Sequence, residues 1–313
     1  MKEDELKKER EAMKKMTLGE HLKELRVRLI ISLVATVLCA SIFLAMGSFT
    51  LKIAMYPYFR TWTWLVQDWM KELKTGHENK TLTLAQEEVY QWIFGTKDKK
   101  GHYEEIIQGK VSDGILKSKG FVYPRRLAQL GPIEYIVAWM KIALIFGLVI
   151  ASPIVFHQAW KFIAAGLYSH EKKKIMKILP YTVGLFITGV AFSYFVMIPY
   201  ALYFLTGFAD QELIQQTYTI KAYISFFFTV TLAMGVVFEL PVFMVGIAKL
   251  GVMSTETMAK KRKIFILLAF VLGALLTPPD PFTQVLLAIP IIILFETGLF
   301  FARRVEKKKE AKK

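Results

Sequence analysis

The sequence predicts an all-α membrane protein: six transmembrane helices in a curved bundle, both termini cytoplasmic, the fifth and sixth helices short. Three observations carry this reading. Of 313 residues, 54% are hydrophobic, too apolar for an ordinary soluble enzyme of this size. Six apolar runs lie between charged segments, most of them near the roughly 20 residues a helix needs to cross the hydrocarbon. Lysine and arginine gather between alternate runs.

Residues 1–28 form a cytoplasmic N-terminal segment of mixed charge, which argues for a permanent anchor rather than a removable secretory signal. Thr17-x-x-Glu20 is a capping box, so a helix should start there, with Leu18, Leu22, Leu25 and Leu29 on one stripe. Glu24 and Arg28 are four residues apart and can either pair with each other or serve a site. The first run, Leu29 to Leu51, opens a six-span domain over 29–304. Cys39 inside it reads as a buried structural thiol.

An enlarged outer loop follows at about residues 52–132, too long a connection to lack structure of its own. Trp62, Leu65, Val66, Trp69, Met70 and Leu73 recur at helical spacing, as an amphipathic helix with its tryptophans at the headgroup level would have them. Leu84, Val89, Trp92 and Ile93 suggest a second, weaker helix, and the glycines and lysines from Gly95 to Gly120 suggest a flexible stretch. Arg125-Arg126-Leu127 is internal and follows a span, so it is not an export signal.

The second run is Ile133 to Ile154, the third Leu179 to Leu205 and the fourth Ala222 to Ala248. The fifth, Ile264 to Leu276, would rise only about 20 Å against a hydrocarbon core of about 30 Å, so it cannot cross alone without bilayer thinning or shielding neighbours. The sixth is Phe282 to Ala302, before a basic cytoplasmic tail at 305–313.

Net charge is about +2 through Arg28, +4 over 160–179, +4 over 249–263 and +5 from Arg303, but about −1 over 206–221, which sets both termini on the cytoplasmic side. The formal charge of +15 therefore marks membrane topology and not nucleic-acid binding. One cysteine and five scattered histidines give no metal-ligand spacing. With no phosphate-binding loop and no nucleophile constellation, neither an enzyme nor a cofactor is expected.

Polar groups in apolar runs are the candidate sites. Glu171 is the lone acid in a cationic loop, where Ser169 can cap a helix and set the carboxylate in its first turn. Glu24 and Glu171 are also scarce acids on a basic surface, suited to accept a guanidinium. Glu239 lies deep in the fourth run and should face the protein interior or bound water, either in a functional site or in a satisfied interhelical hydrogen bond. A proton-coupled secondary transporter using Glu239 is the alternative function. Glu296 lies nearer the cytoplasmic end and reads as structural. Asp280 and Gln284 flank a tight proline-rich turn, and Pro153, Pro199, Pro241 and Pro290 imply kinked helices.

The stretch His21-Leu22-Lys23-Glu24-Leu25-Arg26-Val27-Arg28-Leu29 resembles the entry motif of TatC, the multispanning subunit of the twin-arginine protein translocase. Ser152-Pro153-Ile154, His157-Gln158-Ala159-Trp160, Phe162-Ile163, Leu167-Tyr168-Ser169-His170-Glu171, Phe238-Glu239-Leu240-Pro241 and Leu276-Thr277-Pro278-Pro279-Asp280 through Pro290 follow in order. The resemblance covers about Thr17 to Arg304 outside the long loop. It implies a twin-arginine signal-peptide receptor and core subunit of an inner-membrane translocase for folded proteins, with TatA- and TatB-type single-span partners, a homo-oligomeric complex, lipid around it and no catalysis. It also implies that Glu24 and Glu171 contact the paired arginines, with Arg26, Arg28 and Phe162 shaping the site. Glu239 and Gln284 become intramembrane polar residues, and Pro57 and Asp280 support structure and assembly. Ala165-Gly166 departs from the family's usual Pro-Ala or Pro-Gly pair, and the outer loop is longer than in compact relatives.

Overall fold

The computed structural model describes residues 18–96, 99–121, 123, 126–165, 178–208, 217–277 and 280–310. Thr17, Arg125, Ser169, Glu171, Pro278 and Pro279 lie outside these residues. Helices dominate: α1 (Leu18–Ala45), α2 (Gly47–Glu78), α3 (Leu84–Phe94), α4 (Tyr103–Ile107), α5 (Asp113–Ser118) and α6 (Glu134–Ala165). They continue as α7 (Leu179–Phe192), a π turn (Ser193–Met197) and α8 (Ile198–Gly207), then α9 (Ile220–Val237), α10 (Leu240–Leu250), α11 (Thr255–Lys260), α12 (Arg262–Leu276) and α13 (Pro281–Glu310).

Among the described residues five helices are long and apolar enough to cross a membrane: Gly19–Ala45, Glu134–Ala165, Leu179–Gly207, Ile220–Leu250 and Pro281–Lys308. The remaining apolar run forms α12, whose 15 residues rise only about 22 Å. That matches the expectation for the fifth run. The sixth run is corrected: α13 is a 30-residue helix and is not short, because Arg303 to Glu310 are good helix formers that continue it past the apolar segment.

The first apolar run is corrected as well. It does not continue to Leu51 as one helix but breaks at Met46, where the Thr50 hydroxyl donates to the Phe43 carbonyl at 2.8 Å and serves a group that α1 leaves free. A Cβ on Gly47 would stand 2.8 Å from the Trp139 ring, so glycine lets the break sit against α6.

Beyond the break, α2 supplies the tryptophan stripe, which packs against protein. Trp62, Leu65, Val66, Met70 and Leu73 are buried with Ile93, Ile106, Leu116 and Phe121 in a core of their own. The segment expected to be flexible provides part of it: Gly95–Thr96 pairs antiparallel with Lys99–Lys100, and α4 and α5 bury Ile106 and Leu116 completely or nearly so. The helix expected around Trp92 is α3, opened by a capping box between Thr83 and Gln86.

The main core joins α2, α6, α8, α9, α12 and α13 around Tyr58, Ile142, Ile198, Phe227, Met234 and Leu287. A separate cluster packs α10, α11 and α13 through Met244, Met258 and Phe295. Gly251 ends α10 in the left-handed region at φ 78°, with Val252 N–H donating to the Ile247 carbonyl and Gly251 N–H to that of Ala248.

Candidate functional site

At the start of α1, residues one turn apart share a face, which brings Glu24 and Arg28 together at 3.1 Å. The pair does not stand alone. Arg28 Nη1 donates to Gln158 Oε1 at 3.0 Å, and Gln158 is buried on α6. One turn along α6, the Phe162 ring stacks on His21 with centroids 4.5 Å apart. Two rungs, one charged and one aromatic, thus hold the first turns of α1 against the last turns of α6.

This closeness depends on small residues farther along. A Cβ on Gly147 would lie 2.5 Å from the Ala40 backbone nitrogen, so α1 and α6 touch there without side chains between them. The Glu24 and Arg28 side chains keep 20% and 26% of their surface, so the pair is accessible at an edge. Glu24 Oε1 is taken by Arg28, while Arg28 Nε is buried without an acceptor. Chemically the arrangement is a carboxylate already positioned to bind a guanidinium.

Of the predicted residues, Glu24, Arg28 and Phe162 are brought together. Arg26 is not: it is exposed, and two helical positions turn it about 200° away from Glu24. Glu171 lies outside the described residues. Gln158 and His21 stand in the motifs that carry the family resemblance, and those motifs are the sequence signal that singles them out.

Glu239 sits in the turn between α9 and α10, half-buried, with Oε1 buried and unpartnered. The satisfied interhelical hydrogen bond is therefore not the arrangement at that oxygen. Glu296 pairs with Arg262 at 2.6 Å, as a structural acid would. Asp280 caps α13, accepting from the Thr283 N–H at 2.8 Å and from its hydroxyl. Gln284 donates to the Phe270 carbonyl at 3.0 Å and so stitches α13 to α12 rather than to the turn.

Pro57 has a precise role. Having no N–H, it strands the Ile53 carbonyl four residues earlier, and Tyr194 in the π turn donates its hydroxyl there at 2.7 Å. Pro199 likewise strands the Phe195 carbonyl, which accepts from Arg60 Nη1 at 3.0 Å. Thr61 Oγ1 lies 3.0 Å from the Pro57 carbonyl and 3.1 Å from that of Pro199. Each proline's lost bond is repaired by the other element. None of Arg60, Tyr194 or Tyr223, whose hydroxyl donates to the Ala54 carbonyl at 2.6 Å, was foreseen.

These features define a multi-pass, all-α membrane protein with an ion-pair network at one end of its first span. Its sequence matches the family model for the Sec-independent protein translocase protein TatC over residues 20–290. The chain belongs to the TatC family. It is 40% identical over 202 residues to TatC of Aquifex aeolicus, covering 64% of this chain and 82% of that protein. To TatC of Escherichia coli K12 it is 43% identical over 164 residues, 52% of this chain and 63% of that one. A crystal structure of the twin arginine translocase receptor TatC superposes with a TM-score of 0.63 at 32% identity, covering 91% of this chain and 99% of the other. A second, in the detergent DDM, gives 0.64. These relatives are named as Sec-independent protein translocase proteins.

Proposed function

We propose that this chain is the twin-arginine signal-peptide receptor and core subunit of a translocase that exports folded proteins across the cytoplasmic membrane. The observation that carries the reading is the Glu24 carboxylate, which at 3.1 Å already holds one guanidinium, that of Arg28, at an accessible edge. An arginine of the signal would share or replace that partner. Planar guanidinium–carboxylate pairing favours arginine over lysine.

In this reading Glu171 supplies the second acid, Phe162 with His21 forms an apolar wall, and Arg26 and Arg28 set the local field. Six spans form a curved bundle with both termini cytoplasmic, α12 crossing a locally thinned bilayer. Single-span TatA- and TatB-type subunits and further copies of this chain complete the complex. Asp280, Gln284 and Pro57 hold the outer turns and helices that assembly needs.

The test is photocrosslinking from residue 171 to a twin-arginine peptide, with a twin-lysine peptide as control, in the wild-type chain and in Glu24→Gln. Preferential crosslinking of the arginine peptide, reduced by Glu24→Gln in a correctly inserted protein, is expected. Equal labelling of both peptides rejects the reading. Proton-coupled transport through Glu239 would instead give solute flux in liposomes that Glu239→Gln removes. The receptor reading expects no such flux from this chain alone.

A further inference from the structure

Lys141 lies on α6 seven residues after Glu134, about 10 Å along the helix from its start. A lysine at that depth in a crossing helix needs a partner. Its polar contact is neutral: Nζ donates to Ser225 Oγ on α9 at 2.9 Å. One of three ammonium donors is thereby used. Among the described residues, no carboxylate forms an ion pair with Lys141 or with Lys221.

Lys221 precedes Ser225 by one turn on α9, so the two share a face, and Lys221 is exposed. It stands in the first turn of an 18-residue helix, whose N-terminal end carries partial positive charge. Ser225 thus joins one lysine by a hydrogen bond across α6 and α9 and the other by the shared face of α9, near the positive end of the α9 dipole. Lysine stems of this kind extend toward the headgroups while their methylenes stay in the hydrocarbon.

The surroundings choose the occupant. Around Lys141 on α6, Val137, Met140 and Leu144 expose 41%, 57% and 41% of their surfaces, an apolar wall on the outside of the bundle. An acyl chain fits along that wall, and a phosphodiester at its head meets the two ammonium groups. We propose that Lys141, Lys221 and Ser225 form a binding site for an anionic phospholipid, in the leaflet at the N-terminal end of α6. The phosphate oxygens accept from both lysines and the Ser225 hydroxyl donates to one of them. The site is separate from the proposed signal-peptide site and does not depend on that reading.

The experiment titrates the full chain in detergent with phosphatidylglycerol, diacylglycerol or inorganic phosphate and counts bound molecules by native mass spectrometry. The wild type is compared with Lys141→Gln/Lys221→Gln and Lys141→Arg/Lys221→Arg. Wild type should retain phosphatidylglycerol about tenfold more tightly than the glutamine pair, as loss of charge-assisted bonds requires, while the arginine pair keeps most of the affinity. Diacylglycerol should show no difference among the three. Equal phosphatidylglycerol binding by wild type and the glutamine pair overturns the proposal. So does loss of binding in an arginine pair whose thermal midpoint is unchanged, or diacylglycerol binding that follows the same pattern. Inorganic phosphate that binds and displaces the lipid would make the site one for small anions and overturn the lipid assignment.

Discussion

The first and fourth spans are both long apolar helices, yet their surroundings could hardly differ more. In its most apolar stretch only 6% of Gly19–Ala45 is buried by the rest of the chain, against 50% for Ile220–Leu250. The fourth span is the hub of the main core, holding Tyr223, Ile224, Phe227, Val230 and Met234 among residues of α2, α6, α8, α12 and α13. Among the described residues the first packs mainly on α6 and leaves Leu29, Leu33 and Leu38 outward. Hydrophobicity thus specifies the solvent a helix enters, while small residues and polar rungs specify its neighbours. In lipid, apolar side chains gain little by touching one another, so close backbone approach and buried hydrogen bonds have to set the pairing.

The contrast can be broken most sharply at Phe227. Truncation to alanine should cost about 3–5 kcal/mol, whereas Leu33→Ala, at a position 63% exposed, should stay within about 0.5 kcal/mol. Thermal unfolding of both variants in one detergent checks this, and equal losses would erase the distinction between the spans. A substitution at the α1–α6 contact tests how the outlying span is held. Gly147→Ala would drive a methyl into the Ala40 backbone, so separation of the helices should cost about 1–3 kcal/mol, while Gly184→Ala meets nothing within 4 Å and should be silent. Disulfide trapping between cysteines at positions 28 and 158 reports the separation.

Tyr194→Phe sharpens the comparison at the junction of α2 with the third span. It leaves the Ile53 carbonyl without its donor, and the expected cost is about 1–3 kcal/mol by the same unfolding assay. The smallest effect lies at an exposed pair in the subdomain built by α2 to α5. His102 donates to Glu105 at 2.8 Å and holds that carboxyl below its ordinary value, with nearby lysines adding to the shift. A depressed folded value means the contact contributes above the carboxyl's unfolded value and fades as pH falls through the folded one. Carboxyl NMR should show the Glu105 midpoint rising toward the free value in His102→Ala, with global stability almost unchanged.

Much of the architecture is visible in the one-dimensional pattern because lipid imposes a strict requirement on length and polarity. The apolar runs fall within or close to the observed helices, and the short α12 follows from counting residues between Lys263 and Thr277. Boundaries were harder where the pattern carries no punctuation. The break at Met46 lies inside an apolar run, and α13 continues through charges that favour helix as much as water. The tryptophan stripe announced a helix, but which partner would cover it depended on Ile106, Leu116 and Phe121, from a segment that looked like linker. At the site, the spacing of Glu24 and Arg28 gave their pairing. Gln158 stands 130 residues away, and no local rule could have joined it to Arg28.

The reciprocal repair of Pro57 and Pro199 also bears on the order of biosynthesis. Tyr194 is 141 residues downstream of the carbonyl it serves, so at a typical ribosomal pace the Ile53 carbonyl waits on the order of ten seconds for its donor. Until then that oxygen depends on water for a hydrogen bond.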